Sequence, residues 1–307
     1  MVDHAMTKRV DAGARRTGFV GVLGQTNVGK STFLNAVMGE KLTITSAKPQ
    51  TTRNQIRCIL TNERAQIVFL DTPGLHRPRD RLSRYLLREA YRGLRGLDAI
   101  LYLVEPWGQV SELDRQVFVR LRHEQCPVLL VVNKIDLAKG NALEETLLAY
   151  EATGLFVELI PISAVRGDGL TDVIDTLIPY LPEGALLFPD DVNSDQAEEF
   201  LIGELIREKA ILLTRQEIPY SIAVRVKWLH ERNDDLVEIQ AEIVVERESQ
   251  KGIIVGKGGS MVRQIGTLAR SDIETFLRSR VFLDLIVKVQ PDWTKDNDQI
   301  RQLTSQT

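Results

Sequence analysis

Residues 24–31 read Gly-Gln-Thr-Asn-Val-Gly-Lys-Ser. This G-x-x-x-x-G-K-[ST] pattern lies between an apolar run, "GFVGVL" (18–23), and a helical pattern from about Gly29 to Met38, with Gly39 at the stop position. No other stretch constrains the fold so tightly. Gly24 and Gly29 let the backbone wrap closely around a phosphate chain, while successive N–H groups and the helix N-terminus point at the anion. Lys30 would reach the β- and γ-phosphates, and Ser31 would take Mg²⁺. An ordinary glycine turn is the weaker reading, because the strand before and the helix after are what such a loop requires.

The rest of the first half agrees. "QIVFLD" (66–71), "AILYLV" (99–104), "PVLLVVN" (127–133) and "VELIPIS" (157–163) are near-continuous apolar runs, the signature of strands buried on both faces. Helical patterns lie near 112–124, 141–152 and 168–180. The alternation predicts a mostly parallel sheet with helices on both faces. The strand near 56–60 pairs most simply as an antiparallel hairpin with 66–70.

Three further motifs fall where such a sheet binds ligands. "NKID" (133–136) follows a buried strand, at the carboxyl edge. A carboxylate there accepts from both N1–H and the 2-amino group of guanine, so Asp136 specifies GTP over ATP. Lys134 packs on the base plane and Asn133 braces the loops. Ser163 and Ala164 close over the guanine, the latter offering its amide to O6. "DTPG" (71–74) places Asp71 at a strand end to hold Mg²⁺ through water and the Gly74 amide at the γ-phosphate. Between the phosphate loop and DTPG, "KPQTTRNQ" (48–55) is polar and irregular, and Thr52, or else Thr51, is expected to cap Mg²⁺. Segments held only by the γ-phosphate are released on hydrolysis. Gln25, Thr26, Asn27, Val28 and Thr32 count as GTP contacts with the first loop, and Thr72, Pro73 and Leu75 with DTPG.

This set resembles the translation-factor-like GTPases over residues 18 to about 180. Many small GTPases place a glutamine after D-x-x-G to orient the attacking water. Here Leu75 stands there, and an apolar side chain cannot orient water. Relatives with an apolar residue at this point often carry an asparagine in the phosphate loop that helps bind K⁺. Asn27 matches it, which would add K⁺ to GTP/GDP and Mg²⁺; the alternative is a loop-stabilising side chain. Lys30, Asn27, Thr52 and Gly74 are the candidate catalytic group. His76 reads as a solvated loop histidine.

The grammar changes after "YLPEGALLFPDDVNSD" (180–195), a Pro/Gly/acid-rich linker pattern. A helix ("QAEEFLIGELIREKAILL", 196–213) and two alternating strands follow. Ile222, Val224, Val226 and Trp228 share a face in the first. In the second, Val237, Ile239, Ala241, Ile243 and Val245 face the core, with Glu238, Gln240 and Glu242 toward water. Then come "IIVGKGGSM", a helix (about 260–280) and a last strand, "FLDLIVKV". Gly256-Lys257-Gly258-Gly259 is a G-x-x-G loop among Arg247, Lys251, Lys257, Arg263 and Arg270. The chain carries a net −3, so this basicity is local. The pattern predicts an α+β KH domain of the second topological type, whose glycine loop clamps a nucleic-acid backbone. Lys251, Ile254, Gly256, Lys257, Gly258, Gly259 and Arg263 are the candidate RNA contacts. Ile253, Ile254 and Val255 line the groove or belong to the core. Trp228 and Trp293 could stack on bases, with core packing preferred for Trp228.

A GTPase domain followed by such a KH domain resembles the Era family of bacterial ribosome-assembly GTPases, through "GQTNVGKST", "PQTTR", "DTPGLH", "NKID", "SAVRGDGL", "FLIGELIREK", "IPYSIAV" and "VERESQKGIIVGKGG". The family usually has Arg-Pro where this chain has Gln25-Thr26. The resemblance implies slow GTP hydrolysis, binding of the 3′ end of small-subunit ribosomal RNA, and help in assembling the 30S subunit. Some members associate peripherally with the inner membrane, which adds a membrane surface to the implied contacts. The chain is expected to act as a monomer in the cytoplasm; Cys58 and Cys126, without metal-ligand spacing, suit a reducing compartment. The expected organisation is a flexible tail (1–17), a GTPase domain (18–181), a linker (182–195), a KH domain (196–295) and a C-terminal tail (296–307).

Overall fold

The computed structural model of the chain describes residues 15–46, 48, 53, 56–76, 78, 80–215, 217–233 and 235–304. Its first half runs β1 (Arg16–Gly24), α1 (Lys30–Met38), β2 (Ile56–Thr61), β3 (Ala65–Asp71), α2 (Arg81–Arg92), β4 (Ala99–Val104), α3 (Glu112–Leu121), β5 (Val128–Val132), α4 (Ala142–Glu151), β6 (Glu158–Pro161) and α5 (Leu170–Leu177). The six strands form one sheet in the order β2-β3-β1-β4-β5-β6. β2 pairs antiparallel with β3, as the hairpin pattern predicts, and the other neighbours are parallel. β3, β4 and β5 are buried throughout, because apolar clusters cover both faces: one around Phe33 and Phe69, the other around Tyr102 and Phe118. With β3 on one side of β1 and β4 on the other, a crevice opens at the carboxyl end of β1.

α2 is absent from the sequence patterns above. Leu82, Leu86 and Ala90 are its buried stripe, and Asp80 caps it by accepting from Ser83 N at 2.7 Å. The domain begins earlier than expected, since Arg16 and Thr17 already belong to β1. Residues 182–195 do not run free of the first domain. The Gln66 side chain accepts from the amides of Leu187 and Phe188 (2.7 and 2.9 Å) and donates to Phe188 O (2.9 Å).

The second half runs α6 (Glu198–Leu213), β7 (Ala223–Asn233), β8 (Leu236–Val245), α7 (Glu248–Val255), α8 (Ser260–Leu277), β9 (Arg280–Val289) and α9 (Asn297–Thr304). β8 is central, antiparallel to β7 and parallel to β9. α7 completes the order α-β-β-α-α-β and places the glycine loop between two helices. It is short and contains Gly252, so propensity alone hides it.

Four expectations change here. The ladder slips between Val226 and Trp228, so Lys227 is an extra residue that reverses the alternation. Leu229 takes the inner position and Trp228 turns outward, 42% exposed. Trp293, offered as a stacking residue, is fully buried and donates its indole N–H to Ser221 O at 3.1 Å. Glu242 does not face water: it is buried under Arg225, whose Nε lies 2.7 Å away, and Lys288. The C-terminal tail forms α9, whose Ile300 and Leu303 pack with Trp293, Val244, Leu82 and Leu86, so one apolar cluster spans both domains.

Candidate functional site

The phosphate loop joins β1 to α1 and frames a cavity of about 620 Å³ lined by Thr26, Asn27, Gly29, Lys30, Ser31 and Thr32 on one side. That size suits a nucleotide. Gly29 has φ 97°, and a Cβ there would lie 2.3 Å from Asn133 Nδ2. Only glycine lets the two loops meet this closely. Asn133 is the brace expected of it: Nδ2 donates to Val28 O at 2.9 Å, while Oδ1 accepts from the amides of Lys134 (2.8 Å) and Ala164 (3.0 Å). The Ala164 amide, expected to meet guanine O6, is therefore engaged within the brace. Asp136 Oδ1 accepts from Ser163 Oγ at 2.7 Å. Ser163 is fully buried, so it holds the Asp136 carboxylate from beneath and is not placed to close over a base as expected.

Lys30 lies along the loop, donating to Gly24 O (3.1 Å) and Gln25 O (2.9 Å). Burial lowers its pKa to about 8, against an upward pull from Asp71. Ser31 Oγ donates to Asp71 Oδ2 at 3.2 Å, bringing together two of the three expected Mg²⁺ ligands. Thr52 and Thr51 lie outside the described residues. Thr72 is buried and donates to Val22 O at 2.8 Å, which seats the DTPG turn on β1. Pro73 is buried as well, and Gly74 sits against Thr26, where a Cβ would come within 2.8 Å of Cγ2. Leu75 is buried and its amide donates to Gly24 O at 3.0 Å, so its side chain belongs to the core. His76 Nδ1 lies 2.8 Å from Gly74 O. Asn27 has φ 67°, a left-handed backbone that asparagine tolerates, and its carbonyl accepts from Lys134 Nζ at 2.7 Å.

Two groups of residues escape sequence reading. The Gln25 side chain donates to Ser111 Oγ (2.7 Å) and Asp114 Oδ1 (3.0 Å). Asp114 is buried and also accepts from the hydroxyls of Tyr102 (2.6 Å) and Tyr150 (3.0 Å). The only local hint is the S-x-x-D capping box that Ser111 and Asp114 form at the start of α3. The second group ties the two domains together. Leu212 of α6 lines the nucleotide cavity, and Lys48 donates to Ile211 O and Thr214 O at the carboxyl end of α6. Arg53 is buried and donates to the carbonyls of Ile222 (2.6 Å), Tyr220 (2.8 Å) and Pro219 (3.1 Å), with its guanidinium 5.7 Å from the Trp293 ring centroid. Burial, then Arg207, lowers its pKa to about 9. Lys41 bridges Glu208 (2.5 Å) on α6 and Asp272 (2.7 Å) on α8.

On the KH side, Gly256, Gly258 and Gly259 all have positive φ (72°, 60° and 77°). Lys257 and Arg263 are exposed and Lys251 is half-buried. Gly259, Val262, Arg263 and Arg270 share a cavity of about 370 Å³ with Phe282 and Leu285, between α8 and β9. Ile254 is the one candidate RNA contact that turns away. It is fully buried in the core, leaving Ile253, 49% exposed, as the accessible apolar residue beside the loop. Phe282, 58% exposed, is the aromatic the sequence patterns do not flag.

A Mg²⁺-ready phosphate loop braced to an NKID turn, in front of an α-β-β-α-α-β unit with an open G-x-x-G loop, defines a P-loop GTPase fused to a type II KH domain. Two family models match: one described as a 50S ribosome-binding GTPase over residues 19–134, the other as a KH domain over residues 217–294. The chain is 46% identical to GTPase Era of Geobacter metallireducens, over 94% of this chain and 97% of that protein. It is also 46% identical to GTPase Era of Staphylococcus haemolyticus, over 94% and 96%. The chain belongs to the Era family of GTPases. Two crystal structures superpose with a TM-score of 0.87, each covering 94% of this chain and 98% of the other. One is a tyrosine-to-alanine variant of Aquifex aeolicus Era bound to GDP and AlF₄⁻, 37% identical. The other is Era with MgGDPNP and nucleotides 1506–1542 of 16S ribosomal RNA, 35% identical.

Proposed function

We propose that this protein is a GTP-hydrolysing switch whose KH domain holds the 3′ end of small-subunit ribosomal RNA during assembly of the 30S subunit. GTP or GDP would sit in the cavity of about 620 Å³, with Asp136 reading guanine and Lys30 on the β- and γ-phosphates. Ser31 and Asp71 would hold Mg²⁺, which neutralises charge on the phosphates. The observation that carries the RNA half is the glycine loop: among the described residues, a Cβ at Gly258 or Gly259 would meet nothing within 4 Å beyond its chain neighbours, so the backbone there lies open to a strand. The relative solved with 16S ribosomal RNA supports the choice of RNA.

The domain seam supports coupling between the sites. Lys48 and Arg53 stand on either side of Thr51 and Thr52 in the sequence and anchor in the KH domain. A γ-phosphate that draws Thr52 toward Mg²⁺ would therefore pull on α6 and on the turn before β7. The test is binding to an RNA of nucleotides 1506–1542 with GDP and with a non-hydrolysable GTP analogue. The reading expects different affinities in the two states. It also expects a loss of about tenfold or more on Gly258→Asp, which puts a carboxylate against phosphate. Full binding by a folded Gly258→Asp variant would refute the RNA half.

A further inference from the structure

α2 carries four arginines against one glutamate, in a chain whose net charge is −3. At 3.6 residues per turn, Arg81, Arg84, Arg88 and Arg92 fall within about 80° of arc on the face opposite Leu82, Leu86 and Ala90. All four are exposed. The glutamate, Glu89, pairs with Arg92 at 2.7 Å, and Arg81 donates to Lys295 O at 2.9 Å. Among the described residues, no acidic side chain forms an ion pair with Arg84 or Arg88. Beside the stripe, Arg301 of α9 joins Arg88 and Arg92 around a cavity of about 260 Å³, which Tyr85, Glu89 and Asp298 also line. Two helices from distant parts of the chain thus bring their cations to one concave surface. A helix solvated for its own sake gains nothing from such one-signed crowding, which costs repulsion. α4, also on the first domain's surface, carries only acidic charges.

We infer that the α2 arginine stripe, with Arg301, is a second RNA-contacting surface that grips the phosphate backbone outside the KH groove. This rests on the ribosomal RNA reading above. Charge complementarity selects the occupant: guanidinium groups spaced by roughly one 5.4 Å helical turn present a row of donors to successive phosphates. The surface is also continuous with the KH site through bonded neighbours. Arg81 holds the 293–295 turn, Thr294 of that turn donates to Glu246 Oε1 (2.6 Å through its hydroxyl), and Glu246 stands two residues before α7, which leads into the glycine loop. α2 follows the DTPG turn, so the stripe lies on an element next to the expected γ-phosphate sensor.

The test compares the wild-type chain with an Arg84→Gln/Arg88→Gln/Arg301→Gln variant. Glutamine keeps helix propensity and leaves Arg81 and Arg92 in their contacts. GDP binding reports that the variant is folded. Two RNAs are used: nucleotides 1506–1542 of 16S ribosomal RNA, and a short unpaired RNA filling only the KH groove, about four nucleotides at the loop. The long RNA should bind the variant at least tenfold more weakly. The slope of log K against log salt should fall by about 2, the loss of three phosphate contacts. Short-RNA binding should not change. Equal affinity and slope for the long RNA would mean that the stripe is only a solvated surface. Loss of binding to vesicles of anionic lipid, with long-RNA binding intact, would give the stripe to a membrane and overturn the inference. Gly258→Asp reports on the KH reading separately: its failure to weaken short-RNA binding sinks that reading and leaves the salt slope to decide the stripe.

Discussion

The two glycine loops of this protein look alike in sequence and differ in what their glycines are for. In the phosphate loop, a Cβ at Gly24 would meet Leu103 O at 2.4 Å, and one at Gly29 would meet Asn133 Nδ2 at 2.3 Å. Those glycines are demanded by the protein's own packing. Gly258 is left-handed too, with φ 60° and ψ 27°, but among the described residues, its chain neighbours aside, nothing lies within 4 Å of where a Cβ would stand. The backbone there is left open. The phosphate loop is closed and internally bonded; the KH loop is open and carries its cations outward. A site for a small ligand with fixed geometry needs pre-set donors. A site for a strand needs access.

The sharpest way to break this contrast is to put the same methyl group in both loops. Gly29→Ala combines a strained backbone with loss of the Asn133 to Val28 bond, together about 3 kcal/mol. GTP affinity should fall about 100-fold, measured with a fluorescent guanine nucleotide, and the melting temperature should drop. Gly258→Ala should leave nucleotide affinity unchanged and cost only the left-handed penalty, about 1–2 kcal/mol. Equal damage to nucleotide binding from the two substitutions would erase the distinction.

A pH series sharpens it next. Lys30 has a pKa lowered to about 8 by burial, and phosphate would raise it again on binding. The lysine is charged in the free protein below about 8 and neutral above. Nucleotide binding must then take up a proton above that pH, so affinity should hold below pH 8 and fall up to tenfold per unit above it. Isothermal titration across pH 7–9.5 reads this directly, and a flat profile would place the lysine's charge beyond the reach of burial.

Between the loops lies the seam. Arg53→Met removes three hydrogen bonds to KH carbonyls but also relieves the burial of a charge, so its net cost should be modest, about 1–2 kcal/mol. The difference in RNA affinity between the GDP and GTP-analogue states should shrink. Unchanged coupling would mean that the switch reaches the RNA by another route. The smallest effect concerns Asn27. If the asparagine helps hold K⁺, turnover should be a few-fold faster in potassium than in sodium, and Asn27→Gly, which keeps the left-handed backbone, should abolish the difference.

Much of the chemistry was legible along the chain because it is local. Phosphate loop, DTPG, NKID and G-x-x-G are each a few consecutive residues whose backbone turns dictate their composition, and they imply their flanking strands and helices. The apolar runs of β3, β4 and β5 announced a sheet covered on both faces. Residues whose role depends on distant partners were not legible. Gln25 reaches Asp114, and Arg53 reaches Ile222 across 169 positions of chain.

The two tryptophans mark the boundary most clearly. Alternation placed Trp228 inside, and Trp293 was open to the bases; the structure exchanges them. One extra residue at Lys227 reverses the side chains from Trp228 to Glu231, where the ladder slips a second time, and strand parity counts residues without seeing a bulge that the partner strand decides. Trp293 is buried because α2 and α9 arrive over the outer face of the KH sheet, bringing Leu82, Leu86 and Ile300 from opposite ends of the sequence. The sequence alone determined which ligands' chemistry this protein carries. Only the tertiary structure decided which side chains remain free to meet them, because exposure depends on what else packs there.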